Sequence, residues 1–401
     1  MIDKGALTPD IPIVHHYNDA EGKVAEMESG PSITGIEVIP VKVRGQKDFK
    51  ISEGSTRIHT SVIVRVLTED EGLFGIGEIV CAPPGKPEEL PEEIVGAVRN
   101  IVAPAIVGLD ATSRARCAVL IEAALKGRPW TKAGVNNALF DLQAKILGTS
   151  VTTLLGGQVN DRIPVMGTVL GIDTPDLMAC RAAEIAAAGF SAVKVKVGET
   201  IATDIARVAA VRDAIGPKLA LRVDANDHYR PADAIRLIRA IERYDIEHVE
   251  QPISRRDLLG MVEIRKAVDV PIMTDDMVAT PEEAMTVIRL GAADRVKIKV
   301  TKHGLEGACL IANMLAAAGM TAVLGHVFEM GLAAVAEAHL AAVVPNLAEP
   351  HEIGSMQPMG TDADIIVENL RVEPGYLRLP DGPGLGVALD WDSIAKMRMD
   401  I

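Results

Sequence analysis

The sequence predicts an α/β protein, in which a TIM-like (β/α)7β barrel is joined to an α+β domain that the C-terminal segment completes. Strand-like runs come first and helix-like runs follow within residues 33–160, whereas the two alternate from residue 161 to residue 363. Strand and turn patterns return in residues 364–401, which we expect to pack against the first domain. The chain of 401 residues is long enough for two domains, and its hydrophobic content of 48% supplies a large core.

The first 160 residues divide into a polar extension and a domain. Residues 1–32 are polar and aperiodic, so we interpret them as an N-terminal extension. Strand-like runs follow, and the acidic turn TEDEG between two of them is a hairpin signal. Beyond Pro83 the apolar residues recur with helical spacing as far as the segment TKAGVNNALFDLQAKILG, which favours an α+β domain over residues 33–160.

Repeated strand–helix units occupy residues 161–363. The first unit pairs PVMGTVL with PDLMACRAAEIAAAG, and the second pairs AVKVKVG with TDIARVAAVRDAIG. This alternation predicts a parallel sheet, and seven or eight units in about 200 residues fit a closed barrel. A doubly wound open sheet is the alternative, but it would normally have a glycine-rich nucleotide-binding turn after its first strand, and the sequence has none there.

The composition limits the possible partners. A formal net charge of −14 argues against nucleic acid or an anionic membrane surface. The four cysteines include no Cys-x-x-Cys pair, the N-terminus lacks a signal-peptide pattern, and no apolar run reaches membrane-spanning length. We therefore expect a cytoplasmic protein whose partner is a small molecule.

A charged or titratable residue closes each of six successive strand-like runs. These residues follow one another at intervals of 24 to 28 positions: Lys196, Asp224, Glu250, Asp275, Lys299 and His326. The carboxyl ends of barrel strands converge on one mouth, where such barrels keep their active sites. Six such residues in register on apolar strands therefore predict an active site.

The stretch SAVKVKVGE places Lys194 and Lys196 on one face of a strand, because side chains two positions apart point the same way. By itself the pair is compatible with an edge strand whose lysines extend into water. The register with the other strand ends favours inward-pointing ammonium groups instead. Lys299 would face Lys196 across the barrel, and either lysine could transfer a proton if burial and neighbouring cations lowered its pKa.

Three carboxylates on adjacent strands predict a metal site. Asp224, Glu250 and Asp275 would repel one another at close range unless a cation lay among them. Hard oxygen ligands with positions left open for substrate suit Mg²⁺. Two alternatives stay open: an aspartate at a strand-to-helix turn often caps the next helix, and Asp276 could be the third ligand instead of Asp275.

This order of residues, Lys-x-Lys and then Asp, Glu, Asp and Lys on later strands, resembles the enolase superfamily. Within its mandelate racemase/muconate lactonizing enzyme family, the pattern is most similar to the muconate lactonizing enzyme (muconate cycloisomerase) subgroup. The resemblance covers nearly the whole chain from residue 33 and includes TKAGVNNALFDLQAK, VKVKVG, RVDAN, EQPISR, KIKVTKHG and PGLGV.

The resemblance implies a role for each of these residues. Lys196 is implied to be the acid/base on one face of the substrate, with Lys194 in support and Lys299 as the partner on the other face. The three carboxylates are implied to bind Mg²⁺ or Mn²⁺. Asn226 and Glu329 match positions that line such sites.

Further implications concern the surroundings of the site. The α+β domain is implied to cap the barrel, with the loop from Lys47 to His59 setting specificity, and Lys302 is implied to be structural. His326 falls where the mandelate racemase subgroup has its catalytic histidine, although the sixth strand offers Lys299 instead of that subgroup's aspartate. We therefore expect His326 to bind substrate, to act as an additional acid, or simply to be held by hydrogen bonds.

The expected activity is metal-dependent removal of the α-proton of a small-molecule carboxylate through an enediolate intermediate. The resemblance favours a cycloisomerase of the lactonizing type. A racemase or epimerase of an amino-acid derivative, or a syn-dehydratase, would use the same two lysines. A Schiff-base aldolase and a non-catalytic binding protein are the alternatives outside this chemistry, and we further expect a homo-oligomer.

Overall fold

The computed structural model describes residues 30–81, 89–354, 364–368, 370, 372–373 and 375–401. The extension predicted for residues 1–32 therefore lies outside the described residues up to position 29. Residues 31–401 form one compact unit, so the domain boundaries proposed within it stay predictions. In the part of the chain that is described, no helix is long and apolar enough to cross a membrane.

An antiparallel sheet begins the compact unit. It consists of β1 (Ile33–Ile51), β2 (Gly54–Thr68) and β3 (Phe74–Val80), in that spatial order. The TEDEG turn joins β2 to β3, as its hairpin signal predicts. The segment predicted to be a loop from Lys47 to His59 is instead the end of the β1–β2 hairpin, because both strands continue almost to its tip.

Helices cover one face of this sheet. They are α1 (Pro91–Ala97), which continues into a π-helical turn (Val98–Val102), then α2 (Ala103–Ile106), α3 (Arg114–Ala124), α4 (Pro129–Ile146) and α5 (Val151–Leu154). Helix α4 lies unusually close to β3, since a Cβ at Gly77 would be only 2.3 Å from the carbonyl oxygen of Gly134. Small residues in β3 therefore set the distance between helix and sheet.

Parallel strands form most of the barrel. The short β4 (Ile163–Pro164) comes first, and a six-stranded sheet follows: β5 (Ala192–Lys196), β6 (Ala220–Asp224), β7 (Ile246–Glu250), β8 (Ile272–Thr274), β9 (Arg295–Ile298) and β10 (Thr321–Leu324). Each strand pairs with its sequence neighbours, which is the strand order of a barrel and not of a doubly wound sheet.

Isolated bridges close the ring beyond these six strands. Leu170 pairs in parallel with Val195 on β5, Val165 pairs with His351, and Leu347 pairs with Ala322 on β10. The segments 165–170 and 347–352 thus stand in the positions of the first and eighth strands. The predicted TIM-like barrel with an α+β capping domain is confirmed.

The barrel helices surround the strands: α6 (Pro175–Ala187), α7 (Ile201–Ile215), α8 (Pro231–Ile241, extended by a 3₁₀ turn at Glu242–Tyr244), α9 (Leu258–Ala267), α10 (Pro281–Leu290), α11 (Val300–Ala317) and α12 (Gly331–Val343). Helix α11 is kinked at Gly304, which has φ 67°. Its first turn therefore places Lys302 beside the barrel mouth. Helix α12 is buried along its whole length, which explains its nearly continuous apolar sequence.

The C-terminal segment contacts both parts of the compact unit. It contains β11 (Val372–Glu373), β12 (Tyr376–Leu377) and α13 (Trp391–Met397). Strand β12 pairs with β4 at the start of the barrel, whereas the backbone N–H of Met399 donates to the carbonyl of Pro40 on β1 at 2.9 Å. The segment therefore links the capping sheet to the barrel.

Candidate active site

Both lysines of β5 are buried and point into the barrel. The Lys196 ammonium donates to Oδ2 of Asp224 at 2.5 Å, and the Lys194 ammonium donates to Oε2 of Glu352 at 2.5 Å and to Oε2 of Glu250 at 3.2 Å. Strand β5 has a hydrogen-bonded neighbour on each side. The solvent-facing edge strand considered from the sequence is therefore wrong.

Lys299 directly follows β9, four strands further round the eight-membered barrel. Its ammonium donates to Oδ2 of Asp275 at 2.8 Å and lies 3.6 Å from Oδ1 of Asp276. Lys196 and Lys299 line the same cavity from opposite sides, and each has its own carboxylate partner.

The cavity has a volume of about 490 Å³ and lies between the barrel mouth and the capping domain. Its barrel side is polar and is lined by Lys194, Lys196, Asn226, Glu250, Asp275, Asp276, Lys297, Lys299 and His326. Its capping side is largely apolar and includes Phe49, Ile51, Ile58, His59 and Trp130. A ligand would thus meet charge at one end and hydrocarbon at the other.

The three predicted metal ligands stand at the ends of adjacent strands. Asp224 and Glu250 are register partners on β6 and β7, and Asp275 follows β8 directly. All three are buried, and the buried Oδ1 of the nearby Asn226 has no hydrogen-bond partner among the described residues. Four hard oxygen groups with an unsatisfied acceptor are a donor set that fits Mg²⁺ or Mn²⁺.

The neighbouring aspartates differ in their surroundings. Oδ1 of Asp275 lies 2.7 Å from the Lys299 ammonium, whereas Oδ2 of Asp276 lies 3.1 Å from the guanidinium of Arg255. This difference favours Asp275 as the third ligand. Asp224 lies behind Lys196 and is not itself part of the cavity wall, so Lys196 separates it from the apolar space.

A second group of potential ligand atoms lies deeper in the barrel. Ligand atoms of His248, Glu250 and Glu352 lie within 4.8 Å of one another. However, the ammonium groups of Lys194 and Lys297 already donate to both glutamates. These two buried cations would repel a metal ion there, but they also contact Glu250 of the mouth set, so this repulsion does not distinguish the two positions. The mouth set offers three carboxylates and the unpaired Oδ1 of Asn226, and we favour it for that reason.

The pKa values of the two catalytic candidates, Lys196 and Lys299, are shifted in opposite directions. Burial lowers the pKa of Lys196, and repulsion from Lys194 adds to that effect, although Asp224 opposes it. Burial also acts to lower the pKa of Lys299, but Asp275 and Asp276 outweigh it and raise that pKa. Lys196 is therefore the better base of the pair and Lys299 the better acid.

Nearby lysines also affect the pKa values of two metal-ligand candidates, Asp224 and Glu250. Burial acts to raise the pKa of Asp224, yet Lys196 and Lys194 hold it at about 2. Burial and repulsion from Asp224 raise the pKa of Glu250 to about 7, despite the two lysines that it contacts. The two adjacent carboxylates repel each other, and their pKa values therefore differ, with that of Asp224 lowered and that of Glu250 raised.

Of the remaining predicted residues, His326 lies in the cavity wall and Glu329 does not. His326 lines the cavity, and its Nδ1–H donates to the carbonyl oxygen of Val327 at 2.6 Å. Glu329 is fully buried behind the cavity wall, where it accepts a hydrogen bond from the N–H of Val327 at 2.8 Å. Burial raises the pKa of Glu329 to about 8. Its contacts are with the protein, and its role in substrate binding stays a prediction.

An inner layer of charge beneath the mouth was missed from the sequence. Lys297, Arg222 and His248 each stand two positions before a predicted strand-end residue, on the same face of the strand. The same spacing that relates Lys194 to Lys196 could have identified them. Glu352, which receives hydrogen bonds from Lys194 and Lys297, stands after the last barrel helix and had no such signal.

Lys302, which the resemblance implies to be structural, lies beside the site. Its ammonium donates to the backbone carbonyl of Asp275 at 3.0 Å and lies 3.5 Å from Oδ1 of the same residue. The kink at Gly304 turns the start of α11 toward the mouth, and a sequence pattern of ordinary helical phase gives no indication of that. Lys302 therefore adds positive charge behind a predicted metal ligand.

The capping hairpin contributes contacts that the sequence did not indicate. Ser52 at its tip donates to the backbone carbonyl of Asn226 at 2.8 Å, and Lys50 donates to Glu199 at 2.7 Å. On β2 and β3, a buried chain of hydrogen bonds runs from His59 through Ser61 to Glu78. The hairpin is thus held against the ends of β5 and β6, over the cavity.

A closed βα barrel with carboxylates on three adjacent strands between two lysines defines a class of enzyme, that of the enolase superfamily. Comparison with family models supports this assignment. Residues 34–156 match the mandelate racemase/muconate lactonizing enzyme N-terminal domain, and residues 177–393 match the enolase C-terminal domain-like family. The chain belongs to the mandelate racemase/muconate lactonizing enzyme family of the enolase superfamily, whose members abstract α-protons and bind Mg²⁺.

Relatives of known activity are isomerases of more than one kind. An L-Ala-D/L-Glu epimerase of Bacillus subtilis is 34% identical over 88% of this chain and 96% of its own length. A muconate cycloisomerase 1-2 of Acinetobacter lwoffii is 30% identical over 92% and 96%. A crystal structure of the dipeptide epimerase of Enterococcus faecalis V583, complexed with Mg and the dipeptide L-Leu-L-Tyr, is 30% identical with a TM-score of 0.82, and the alignment covers 89% of this chain and 99% of that one.

Proposed function

We propose that this protein is a Mg²⁺-dependent racemase or epimerase, which removes the α-proton of a carboxylate substrate on one face and returns a proton on the other. The observation that supports this most directly is the pair Lys196 and Lys299. Both are buried, they line one cavity from opposite sides, and each is bonded to a different carboxylate. Two-base proton transfer requires a proton carrier on each face of the substrate.

The lysines are proposed to exchange roles during the reaction. Lys196, with its lowered pKa, takes the α-proton as a neutral amine and becomes an ammonium ion. Lys299, with its raised pKa, gives a proton to the opposite face and becomes an amine. The reverse reaction starts with Lys196 as an ammonium ion and Lys299 as a neutral amine. It returns each lysine to the protonation state that it had before the forward reaction.

Asp224, Glu250 and Asp275 would hold the metal ion in this proposal. Bound there, Mg²⁺ would orient the substrate carboxylate and stabilise the negative charge that develops when the α-proton leaves. Lys194 and Lys297 contribute positive charge directly beneath that position, because both ammonium groups contact Glu250. The largely apolar capping side of the cavity would limit the water around the reacting carbon once a substrate is bound.

The environment of His326 disfavours syn-dehydration with this residue as the acid. Its Nδ1–H is committed to the Val327 carbonyl, and burial together with Lys194 lowers its pKa to about 3. The ring is therefore neutral, and its Nε2 has no proton to give to a leaving group.

A lactonizing cycloisomerase is the second candidate, and one observation favours it. Muconate has a second carboxylate, which would need a cation away from the lysine cluster. Lys42 lines the cavity from the capping domain and could supply that charge. Because Lys42 is exposed and the rest of the capping side is largely apolar, the geometry supports this candidate less well.

Hydrogen exchange in deuterium oxide tests the proposal. Purified protein with Mg²⁺ is incubated with N-acyl amino acids, dipeptides and cis,cis-muconate, and α-deuteration is followed by NMR. We expect deuterium in both enantiomers of a racemized substrate. Lys299→Ala should slow interconversion of the enantiomers about 10²–10⁴-fold while one enantiomer still exchanges, and Lys196→Ala should show the opposite preference.

The exposed Lys218 supplies the control, since Lys218→Ala removes a lysine charge far from the cavity and should change neither rate. Equal loss of exchange for both enantiomers in either active-site variant would contradict a two-base mechanism. Formation of a lactone from muconate without label in the substrate would favour the second candidate instead.

A further inference from the structure

One arginine connects the three loops that follow the strands of the predicted metal ligands. Arg255 lies in the turn between β7, which ends at Glu250, and α9. Its Nε donates to Oδ2 of Asp227 at 2.6 Å, in the loop after β6. Its Nη1 lies 3.1 Å from Oδ2 of Asp276, in the loop after β8. A single guanidinium therefore bridges the ends of three adjacent barrel strands.

The same guanidinium also reaches the capping domain. Its Nη2 donates to Oε1 of Glu53 at 3.0 Å, at the tip of the β1–β2 hairpin. Beside this contact, the hydroxyl of Ser52 donates to the backbone carbonyl of Asn226 at 2.8 Å. The tip of the hairpin is therefore bonded to the segments that follow two of the metal-ligand strands, β6 and β7.

The planar fork of an arginine suits this position. Each of the three nitrogens of the guanidinium faces a different carboxylate, which the single ammonium of a lysine could not reproduce. The side chains of Arg255, Asp227 and Asp276 are only 20%, 16% and 10% exposed. Isolated ion pairs in water contribute little to stability, whereas a partly buried network is screened less and holds its members in place.

The backbone of these loops depends on contacts between them. Asn226, Asp227 and Gln251 have φ values of 41°, 65° and 38°, in the left-handed region that residues other than glycine rarely adopt. The N–H of Asp227 donates to the carbonyl of Gln251 at 3.0 Å. Oε1 of Gln251 accepts from the N–H of Asp275 at 2.9 Å. A displacement of Asp227 would therefore be transmitted to Asn226 and Asp275, which belong to the predicted metal site.

We infer that Arg255 is a positioning residue through which the capping hairpin and the metal site stabilise each other. With the tip docked, Glu53 and Arg255 hold the loops in the conformation that presents Asn226 and Asp275 to the cation. Because a coupling of this kind is reciprocal, a bound cation also stabilises the docked tip. Arg255 has no acceptor atom and therefore acts through the loops. The inference rests on the metal site of the proposed function.

Calorimetric titration of the substrate-free protein with MgCl₂ tests the inference. We expect Arg255→Met to weaken Mg²⁺ binding about 10–100-fold. Loss of a positive charge near the site would by itself strengthen the binding of a cation, so weaker binding has the sign of lost positioning and not of lost charge. Arg255→Lys, which keeps the charge without the fork, should bind Mg²⁺ more weakly than wild type as well.

A substitution on the capping domain tests the coupling across the two parts of the molecule. Glu53→Gln should weaken Mg²⁺ binding about fivefold, although Glu53 lies on the hairpin and not on the barrel. The double variant E53Q/R255M should bind Mg²⁺ as R255M does, because Glu53 acts through Arg255. If Glu53 acted only through its charge, its effect would add to that of R255M.

Two variants serve as matched controls. Arg265→Met removes an arginine of α9 whose partner, Asp294, lies 2.7 Å away and precedes β9, at the other end of the barrel strands. It should leave Mg²⁺ affinity unchanged. Lys50→Met removes another ion pair between hairpin and barrel, that with Glu199 at 2.7 Å, which follows β5. It should change Mg²⁺ affinity less than Glu53→Gln does.

Hydrogen–deuterium exchange measures the same coupling at the hairpin. In the wild-type protein, saturating Mg²⁺ should slow exchange of the amides of residues 51–55, whereas in R255M it should not. Circular dichroism shows whether each variant folds. If R255M does not fold, Glu53→Gln decides the inference by both measurements, since the side chain of Glu53 is 28% exposed and its replacement leaves the barrel intact.

The outcomes separate this inference from the proposed function. Unchanged or tighter Mg²⁺ binding in R255M would overturn the inference, and so would wild-type affinity in E53Q or equal weakening by Lys50→Met and Glu53→Gln. A wild-type protein that binds no Mg²⁺ would overturn it together with the metal site. If Mg²⁺ binds with the expected coupling but no carboxylate exchanges its α-proton, the inference stands and the proposed function fails.

Discussion

Lys297 contacts two glutamates at once in the interior of the barrel. Its ammonium donates to both oxygens of Glu250, at 2.7 and 2.8 Å, and to Oε2 of Glu352 at 2.7 Å. The side chain depends on the glycine at position 325, where a Cβ would lie 2.0 Å from the lysine Cε. A buried cation thus fixes the orientation of a predicted metal ligand.

We expect Lys297→Met to lower the free energy of unfolding by about 3–5 kcal/mol, because two buried carboxylates lose a shared cation. Urea titration of the metal-free protein measures this loss. The double variant K297M/E352Q should be less destabilised than the sum of the single variants, since the two residues interact directly. An unchanged midpoint and slope for K297M would show that the other cations of the inner layer suffice.

At the scale of elements, the tip of the β1–β2 hairpin completes the site. The tip lies against the loop that follows β5, where a Cβ on Gly198 would be 2.4 Å from the Cβ of Ser52. The φ of Gly198 is +135°, which also disfavours any other residue. The same short loop therefore follows the lysine pair and sets the distance between the capping domain and the barrel.

We expect Gly198→Ala to displace the hairpin tip and to raise the KM of any substrate that contacts the capping side. Hydrogen–deuterium exchange of the tip amides should become faster. Gly216→Ala is the control, because Gly216 also has a positive φ of +68° but has no atom within 4 Å of its added Cβ. Both variants share backbone strain, so faster exchange at the tip in both would refute a specific steric effect.

At the scale of the whole molecule, a buried carboxyl cluster joins the capping domain to the barrel. The carboxylate of Glu78 on β3 accepts hydrogen bonds from backbone N–H groups at the start of α12. Glu329 and Glu337 of the barrel lie close enough to interact electrostatically with it. Burial raises the pKa of Glu78 to about 7 and that of Glu329 to about 8, and it raises the pKa of Glu337 well above its usual range. Ionisation of these groups therefore destabilises the folded state relative to the unfolded state.

The sign of the pH dependence follows from these shifts. Between the unfolded value near 4.5 and the folded values of about 7 and 8, the folded state binds more protons than the unfolded state, so stability falls as pH rises. Glu337→Gln should remove one titrating group and reduce that slope by up to about 1.4 kcal/mol per pH unit. Urea unfolding at pH 5.5 to 8 measures it, with the exposed Glu263→Gln as control. Identical slopes for E337Q and wild type would contradict this assignment.

Most of the fold and the mouth of the barrel could be predicted because their signals are local. Strand and helix periods are visible in short windows, and one βα unit separates each strand-end residue from the next. The predictions failed where the chain departs from these periods. The segment from Lys47 to His59, which the resemblance implies to be a loop, is the end of a hairpin. The kink at Gly304, which no periodic pattern indicates, places Lys302 beside Asp275.

The sequence by itself determined the barrel, its family and the order of lysines and carboxylates around the mouth, because spacing along the chain fixes which strand ends meet. Only the tertiary structure decided what those residues contact. Glu352 reaches Lys194 across 158 positions of sequence, and the ring of His326 is held by the carbonyl of Val327. Hydrogen-bond direction and burial depend on neighbours that no local pattern specifies, and here they set the protonation of the groups that face the substrate.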